Sequence, residues 1–319
     1  MQNSPFTLRT RQIRLEAIDV VSLELEALDG AALPAYAPGA HVDVQVPGGP
    51  LRSYSLIDPP SESIRWRIAV KREPGSRGGS RWFHEQSRVG MPLSVTFAGN
   101  HFALEEAAPL SVFVAGGIGI TPLLSMIGRL VQLGRPWELH YAAASPAAMP
   151  FQAQLAGYAA RGQGRVVKYF TDAGNGRMDI AGVLAATADD AHVYCCGPAG
   201  MIDDFLLAAA GRTPDNVHHE RFAASQAAVT DGGFSLQLAR DGRLLEVPAG
   251  KTILDVLLAA GVDVPYACTQ GVGGACRVTV LEGEPEHRDD FLSDAERAAN
   301  DSILVCCSGA RTASLTLDV

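Results

Sequence analysis

The chain has 319 residues, 47% of them hydrophobic and 7% aromatic, with a formal net charge of −9 at pH 7. That length suits two or three domains with cores of their own, and the acidic balance speaks against nucleic acid as the main partner. No apolar run approaches the roughly 20 residues that span a bilayer, and MQNSPFTLRTRQIRLE lacks the apolar stretch of a signal peptide, so a cytoplasmic protein with no membrane attachment is expected.

Residues 1–105 read as β structure. Val21, Leu23 and Leu25 alternate with polar residues, as do Val42, Val44 and Val46, then Trp66, Ile68 and Val70. Turn residues such as PGGP (47–50) separate the runs, which suits an antiparallel barrel or sandwich. From residue 106 the texture changes. Apolar strands at Leu110–Ala115, Trp137–Tyr141, Val166–Phe170 and His192–Cys196 alternate with helical spacing at Ile120–Leu133, Phe151–Ala160 and Pro198–Ala210. Strands alternating with helices imply βαβ units and a parallel sheet, here spanning 106–224.

Residues 225–232, small and polar without apolar periodicity, read as a linker. From 233 to 319 the order is β-β-α-loop-β: Phe234, Leu236 and Leu238 alternate, Leu245 and Val247 follow, Thr252–Ala260 is a short helix and Arg277–Leu281 a strand. A small α+β domain is expected. It holds 7 basic and 13 acidic residues, a balance of −6, against −3 for the first 232 positions. Such a domain is either solvated by its acids or docks on a basic patch of another protein.

Four segments carry chemistry. Leu51-Arg52-Ser53-Tyr54-Ser55-Leu56 offers, on a strand, a guanidinium fork for phosphate, an aromatic face and small hydroxyls; such a strand can equally be ordinary surface. Lys71 to Ser80 (KREPGSRGGS) ends in Gly78, Gly79 and Ser80 before the helical stretch Arg81–Gln86, leaving backbone N–H groups for an anion or simply capping a helix. Ala115-Gly116-Gly117-Ile118-Gly119-Ile120-Thr121-Pro122 joins strand to helix, where glycines admit a diphosphate. Cys195-Cys196-Gly197-Pro198 ends another strand, the side on which open α/β sheets bind ligands, although these cysteines also suit a buried structural role.

In this order the four segments resemble the ferredoxin–NADP reductase superfamily, and most closely the phthalate dioxygenase reductase and vanillate O-demethylase reductase family. That resemblance covers the whole chain. It implies a multidomain protein: an antiparallel β-barrel that binds FMN (1–105), an α/β parallel-sheet domain that binds NADH (106–224), and a plant-type ferredoxin-like β-grasp domain (233–319). It further implies an NADH-dependent FMN oxidoreductase, the reductase component of a Rieske-type aromatic oxygenase or O-demethylase, whose terminal oxygenase docks on the acidic C-terminal domain. Carried over residue by residue, Arg52, Ser53, Tyr54, Ser55 and Lys71 hold the flavin, with Ser55 near its reactive nitrogen. Gly78, Gly79 and Ser80 cradle the FMN phosphate, while Gly116, Gly117, Gly119 and Thr121 line the NADH site. Cys196, Gly197 and Pro198 flank the nicotinamide, Ser55 and Cys196 being the catalytic pair. Phe222, in His218-His219-Glu220-Arg221-Phe222, is the aromatic residue by the flavin. Ala142 to Ser145 offer no cation for a 2′-phosphate, in keeping with NADH. Val280–Asp289 and Cys306-Cys307-Ser308 most resemble the vanillate branch.

A plant-type [2Fe–2S] cluster uses C-x4-C-x2-C and a distant fourth cysteine. Cys268, Cys276 and Cys306 match; the second ligand position is Gly273. If residues 303–307 are extended, Cys307 points away from Cys306 and is no substitute. Three readings stay open: an oxygen ligand completes the site, the cluster is labile or absent, or residue 273 has been altered. The rival functional reading is a stand-alone NADH:flavin or quinone reductase whose ferredoxin domain is cluster-free, and a third makes that domain a docking module alone.

Overall fold

The computed structural model describes residues 5–60, 64–74, 78–161, 163–172, 177–266 and 268–319. Gly75, Ser76 and Arg77, part of the expected anion loop, lie outside the described residues. The chain divides into two compact units, Met1–Glu220 and Arg221–Val319. Among the described residues no helix is long and apolar enough to cross a membrane.

The first unit opens with β1 (Phe6–Ala17), β2 (Val20–Ala27), β3 (His41–Gln45), β4 (Leu51–Ser55), β5 (Arg65–Lys71), α1 (Gly79–Glu85) and β6 (Pro92–Gly99). The strands form one antiparallel sheet in the order β4-β3-β6-β1-β2-β5. Its edges are joined where Ile57 N–H, just past β4, donates to the Arg67 carbonyl of β5 (3.0 Å), so the sheet rolls up into a barrel. Period-two patterning fills its interior: Leu23, Leu25, Val42, Val44, Trp66, Ile68 and Val70 are at most 1% exposed, each burial contributing about 1.5–3 kcal/mol. Val21 is half-buried against this core alongside Leu23 and Leu25, while Val20, on the opposite face, is buried in a second core with Ile57 and Ala69.

Next come β7 (Ser111–Gly116), α2 (Ile120–Leu133), β8 (Trp137–Ala143), α3 (Gln152–Arg161), β9 (Gly164–Phe170), α4 (Ile180–Ala185), β10 (His192–Cys196), α5 (Ala199–Ala209) and β11 (Val217–Glu220). All pairings in this sheet are parallel, in the order β11-β10-β7-β8-β9. Helix α2 ends where Gly134 takes φ +65° and its N–H returns to Leu130 and Val131, the glycine stop expected of a left-handed C′ residue. Ile120, Leu123, Leu124 and Ile127 bury against Phe113, Tyr141 and Tyr194. Barrel residues Ile57 and Ala69 belong to that same core, and Gly39 N–H donates to Ser125 Oγ at 3.2 Å. The barrel and the parallel sheet therefore share one core.

The second unit contains β12 (Phe234–Leu238), β13 (Leu244–Val247), α6 (Ile253–Ala259), β14 (Arg277–Glu282), β15 (Pro285–Glu286), α7 (Asp294–Ala299), β16 (Ser302–Leu304), β17 (Gly309–Ala310) and β18 (Ser314–Leu317). The sheet order is β13-β12-β18-β14-β16, so β18 lies between the two early strands and β14. Helix α6 starts in a capping box, Thr252 with Asp255, worth about 1 kcal/mol. Residues 225–232, expected as a linker, are bonded to this unit. Ser225 N–H and Oγ donate to Asp290, and Val229 N–H donates to the Cys307 carbonyl.

Candidate active site and cluster loop

Strand β4 alternates, so Arg52 and Tyr54 share one face and Ser53 and Ser55 the other. Tyr54 meets Phe83 of α1 edge-on at 5.4 Å, and burial raises its phenol pKa. Ser53 donates to Asp43 Oδ1 at 2.5 Å. Both lie on the face of the sheet opposite Val42 and Val44, and the Ser53 hydroxyl proton is committed to Asp43. Ser55, at the end of β4, is 6% exposed.

A Cβ placed on Gly79 would sit 3.3 Å from Arg52 Cγ and 3.5 Å from its Nε, so the guanidinium stem lies directly against this glycine. Gly78 takes φ +112°, open to glycine alone. Ser80 Oγ accepts from Glu73 N–H (3.1 Å), and the Glu73 carboxylate sits 3.6 Å from Lys71 Nζ. Arg52 is thus brought against Gly79, and Lys71 is tied to Ser80 through Glu73.

The two turns at the carboxyl ends of β7 and β10 interlock. A Cβ on Gly119 would lie 2.2 Å from the Cys196 carbonyl oxygen and 2.7 Å from Gly197 N, and one on Gly116 would lie 2.5 Å from Pro198 Cδ. Glycine is therefore required for close approach at both positions. Gly117 is different: its φ is +53° and no described atom lies within 4 Å of its would-be Cβ. Tyr141 OH donates to the Gly117 carbonyl (2.9 Å), and Thr121 Oγ1 donates to Ile118 O (3.0 Å). At 3% exposure, the Thr121 hydroxyl holds the turn from inside. Cys196 is 0% exposed and shares a core with Ile57, Ala69 and Ile120. Burial, then the nearby Glu220, raises its thiol pKa far above the ordinary value, so it is no thiolate nucleophile.

Glu220 is a residue that sequence reasoning passed over, although it stands in the quoted motif. It pairs with Cys196 across β10 and β11, its Oε2 is buried without a hydrogen-bond partner among the described residues, and burial pushes its pKa up to about 8. Only the position of the strand end could have flagged it. Phe222 belongs to the second unit, where it is 40% exposed.

In the second unit the cysteines gather under a glycine loop. Gln270 N–H points at Cys268 Sγ (3.4 Å). The Cys276 thiol, then the Cys307 thiol, hydrogen-bond to Cys306 and pull its pKa down to about 4, with Gly271 N–H assisting. The expectation for Cys307 rested on extended backbone and is corrected: residues 305–307 form a turn, with Cys307 N–H on the Leu304 carbonyl (3.3 Å), which puts both thiols together. The run around His287 props this turn, since Arg288 N–H donates to Ser308 Oγ (3.1 Å) and β15 pairs with β17. Among the described residues no three potential ligands converge on one point as a mononuclear metal site would require.

Residues 113–206 match the family description "Oxidoreductase NAD-binding domain", and residues 236–311 match "2Fe-2S iron-sulfur cluster binding domain". Phenoxybenzoate dioxygenase subunit beta of Ectopseudomonas oleovorans is 49% identical over 99% of this chain and 98% of its own. Tetrachlorobenzoquinone reductase of Sphingobium chlorophenolicum is 43% identical, likewise over 99% and 98%. Vanillate O-demethylase oxidoreductase of Pseudomonas sp. (strain HR199 / DSM 7063) is 42% identical over 96% and 98%. The solved structure of phthalate dioxygenase reductase superposes with a TM-score of 0.82 at 34% identity, covering 99% and 98% of the two chains. The chain belongs to the phthalate dioxygenase reductase and vanillate O-demethylase reductase family. A dioxygenase subunit and a vanillate O-demethylase oxidoreductase thus both match over nearly the whole chain, at 49% and 42% identity.

The reductase family's cluster tests the cysteine loop. Cys276 and Cys306 are in side-chain contact, Cys307 hydrogen-bonds to Cys306, and Cys268 lies near Cys276. Four thiolates at the motif positions are needed. Gly273 leaves one of those positions without a donor.

Proposed function

We propose that this chain is the NADH-oxidising reductase component of a Rieske-type aromatic oxygenase or O-demethylase, working in the cytoplasm with FMN as its flavin. The observation that carries the reading is the interlocked pair of turns at Gly116–Gly119 and Cys196–Pro198, seated on the core that also holds the barrel strand ends. When bound, FMN accepts a hydride from NADH and can release electrons singly.

Arg52, Lys71 and the backbone at Gly78, Gly79 and Ser80 hold the mononucleotide phosphate; charge-assisted bonds of this kind are the strong ones. Tyr54, braced by Phe83, presents an aromatic face, and Ser55 offers a hydroxyl to the flavin ring. Gly116, Gly117 and Gly119 admit the NADH diphosphate, with Thr121 keeping their turn in shape. Gly197 and Pro198 flank the nicotinamide, and Cys196 positions their turn by packing. Burial holds the Glu220 carboxyl towards its neutral form, which lessens negative charge at the strand ends against the incoming dinucleotide. Ala142 to Ser145 leave a 2′-phosphate without a counter-ion. Onward transfer runs to an oxygenase docked on the acidic C-terminal unit. The cluster path there needs a donor in place of Gly273.

The test is an absorption spectrum before and after anaerobic NADH addition, with the extracted flavin identified by chromatography. FMN that bleaches with NADH is the expected result. A folded protein that stays colourless in added FMN and consumes no NADH overturns the reading. A second reading, a stand-alone NADH:flavin or quinone reductase, is favoured by Gly273 and by the relative named for tetrachlorobenzoquinone. It expects Cys276→Ser to leave every electron-transfer activity intact, whereas the oxygenase reading expects transfer to the partner alone to fail.

A further inference from the structure

Three glycines stand in the cysteine loop of the second unit, and the fold requires two of them. Gly271 has φ +73°, and a Cβ there would lie 2.8 Å from Cys307 Sγ. Gly274 has φ +69°, and its Cβ would strike the Phe291 ring at 2.2 Å. Gly273, between them, is under neither constraint. Its φ lies outside the left-handed region. Apart from its chain neighbours, the described atoms within 4 Å of its would-be Cβ are Cys268 Sγ at 3.2 Å and Cys268 Cβ at 3.7 Å. Cys268 is partly exposed, so its thiol can yield the few tenths of an ångström that a side chain at 273 needs.

No local substitute takes the place of that side chain. Val272 and Gly274 carry no donor side chain. Among the other described residues no side-chain oxygen or nitrogen, and no sulfur but that of Cys268, lies within 4 Å of the Cβ position. Cys307 is held elsewhere: it lies against Gly271, its Sγ is 3.8 Å from both Leu304 O and Ser308 Oγ, and it is 3% exposed.

We infer that the second unit does not hold a four-thiolate [2Fe–2S] cluster, and that the whole shortfall is the one side chain absent at position 273. The unit has what it needs to fold without the group. Leu236, Leu257, Ile303, Leu304, Leu315 and Leu317 are 0% exposed in its core, and α6 and α7 both start in capping boxes. Small domains that depend on a metal to fold lack such a core. The misfit is therefore local, set in a frame that stays intact around it.

The inference rests on the ferredoxin reading of the second unit and not on the NADH site, so its test reads metal content and never uses NADH. Full-length protein, Gly273→Cys and Gly273→Ala are expressed with added iron and purified anaerobically in TCEP. Iron, acid-labile sulfide and the electron paramagnetic resonance signal after dithionite reduction are then measured. Gly273→Cys is expected to carry about two irons and two sulfides per chain. The unmodified chain and Gly273→Ala carry at least tenfold less and give no signal. About two irons on the unmodified chain overturn the inference, and loss of that iron in Cys307→Ser then assigns the fourth ligand to Cys307. A folded Gly273→Cys as poor in iron as the unmodified chain also overturns it, because the shortfall then extends beyond position 273. Gly273→Ala checks the backbone without any metal: it should unfold at the temperature of the unmodified chain, and a marked fall would show that position 273 is not free to carry a side chain.

Discussion

Gly119→Ala is the sharpest test of the nucleotide site. The added Cβ would lie 2.2 Å from the Cys196 oxygen and 2.7 Å from Gly197 N, both backbone atoms. Ordinary contact begins near 3.4 Å, so the turns must part by about 1.2 Å. A displacement of about 1 Å in a positioning element costs roughly 100-fold in rate, or about 2.7 kcal/mol of transition-state stabilisation. Overpacking adds about 1–3 kcal/mol of lost stability. Anaerobic stopped-flow reduction of the flavin by NADH measures the first and thermal unfolding the second. Gly157→Ala in α3 is the control. No described atom lies within 4 Å of its would-be Cβ, and replacing a helical glycine by alanine should stabilise by up to about 1 kcal/mol with unchanged kinetics. If Gly119→Ala reduces flavin with wild-type kcat/KM, the two turns are not the nucleotide site, and the argument from close approach fails.

Arg52→Ala should weaken FMN binding about 10–100-fold through loss of a charge-assisted bond, read by recovery of free-flavin fluorescence. Unchanged affinity would remove Arg52 from the phosphate site. Glu220→Gln tests the buried carboxyl. Its folded pKa of about 8 lies above the ordinary 4.5, so between those values the unfolded chain releases a proton that the folded one keeps, and stability falls as pH rises through that window. The glutamine variant should lack this fall and unfold at higher temperature than wild type at pH 9; parallel profiles would refute it. Transfer to the oxygenase should slow as salt rises from low to physiological strength, because steering between an acidic unit and a basic patch is screened within about 8–10 Å. A salt-independent rate would show that the acids of the second unit only solvate it.

Much of the fold was legible because burial follows period. Helix α2 and strand β10 fall at their expected bounds, Ile120–Leu133 and His192–Cys196, since long apolar stretches between glycine turns leave few alternatives. The elements that escaped notice are short or polar. Helix α7 has no buried residue, though Ser293-Asp-Ala-Glu296 spells its capping box. Strand β18, central in its sheet, takes its place from pairing with distant β12 and β14, which no local pattern announces. In the site, Arg52 and Gly79 were found by motif, but their contact needed the barrel to bring β4 against α1. Ser53 was likewise placed by its motif, but that its hydroxyl donates to Asp43 depends on the β3–β4 register, which no local pattern announces.

The glycines carry the deeper lesson, because one residue type serves three physical ends that spacing cannot separate. Gly116 and Gly119 are glycine because another backbone or side chain occupies the space of a Cβ; Gly117, Gly271 and Gly274 because φ is positive. Gly273 answers to neither demand. Where neither sterics nor backbone conformation explains a glycine, its effect must lie in the side chain it does not provide, and here that side chain would project towards a cysteine sulfur in a loop otherwise laid out for four. The flavin and nucleotide turns meet their ligands through backbone and so tolerate, even require, missing side chains. An iron–sulfur site cannot work that way, because iron is held by the sulfur atoms themselves. The same substitution that completes a phosphate turn therefore opens a metal site.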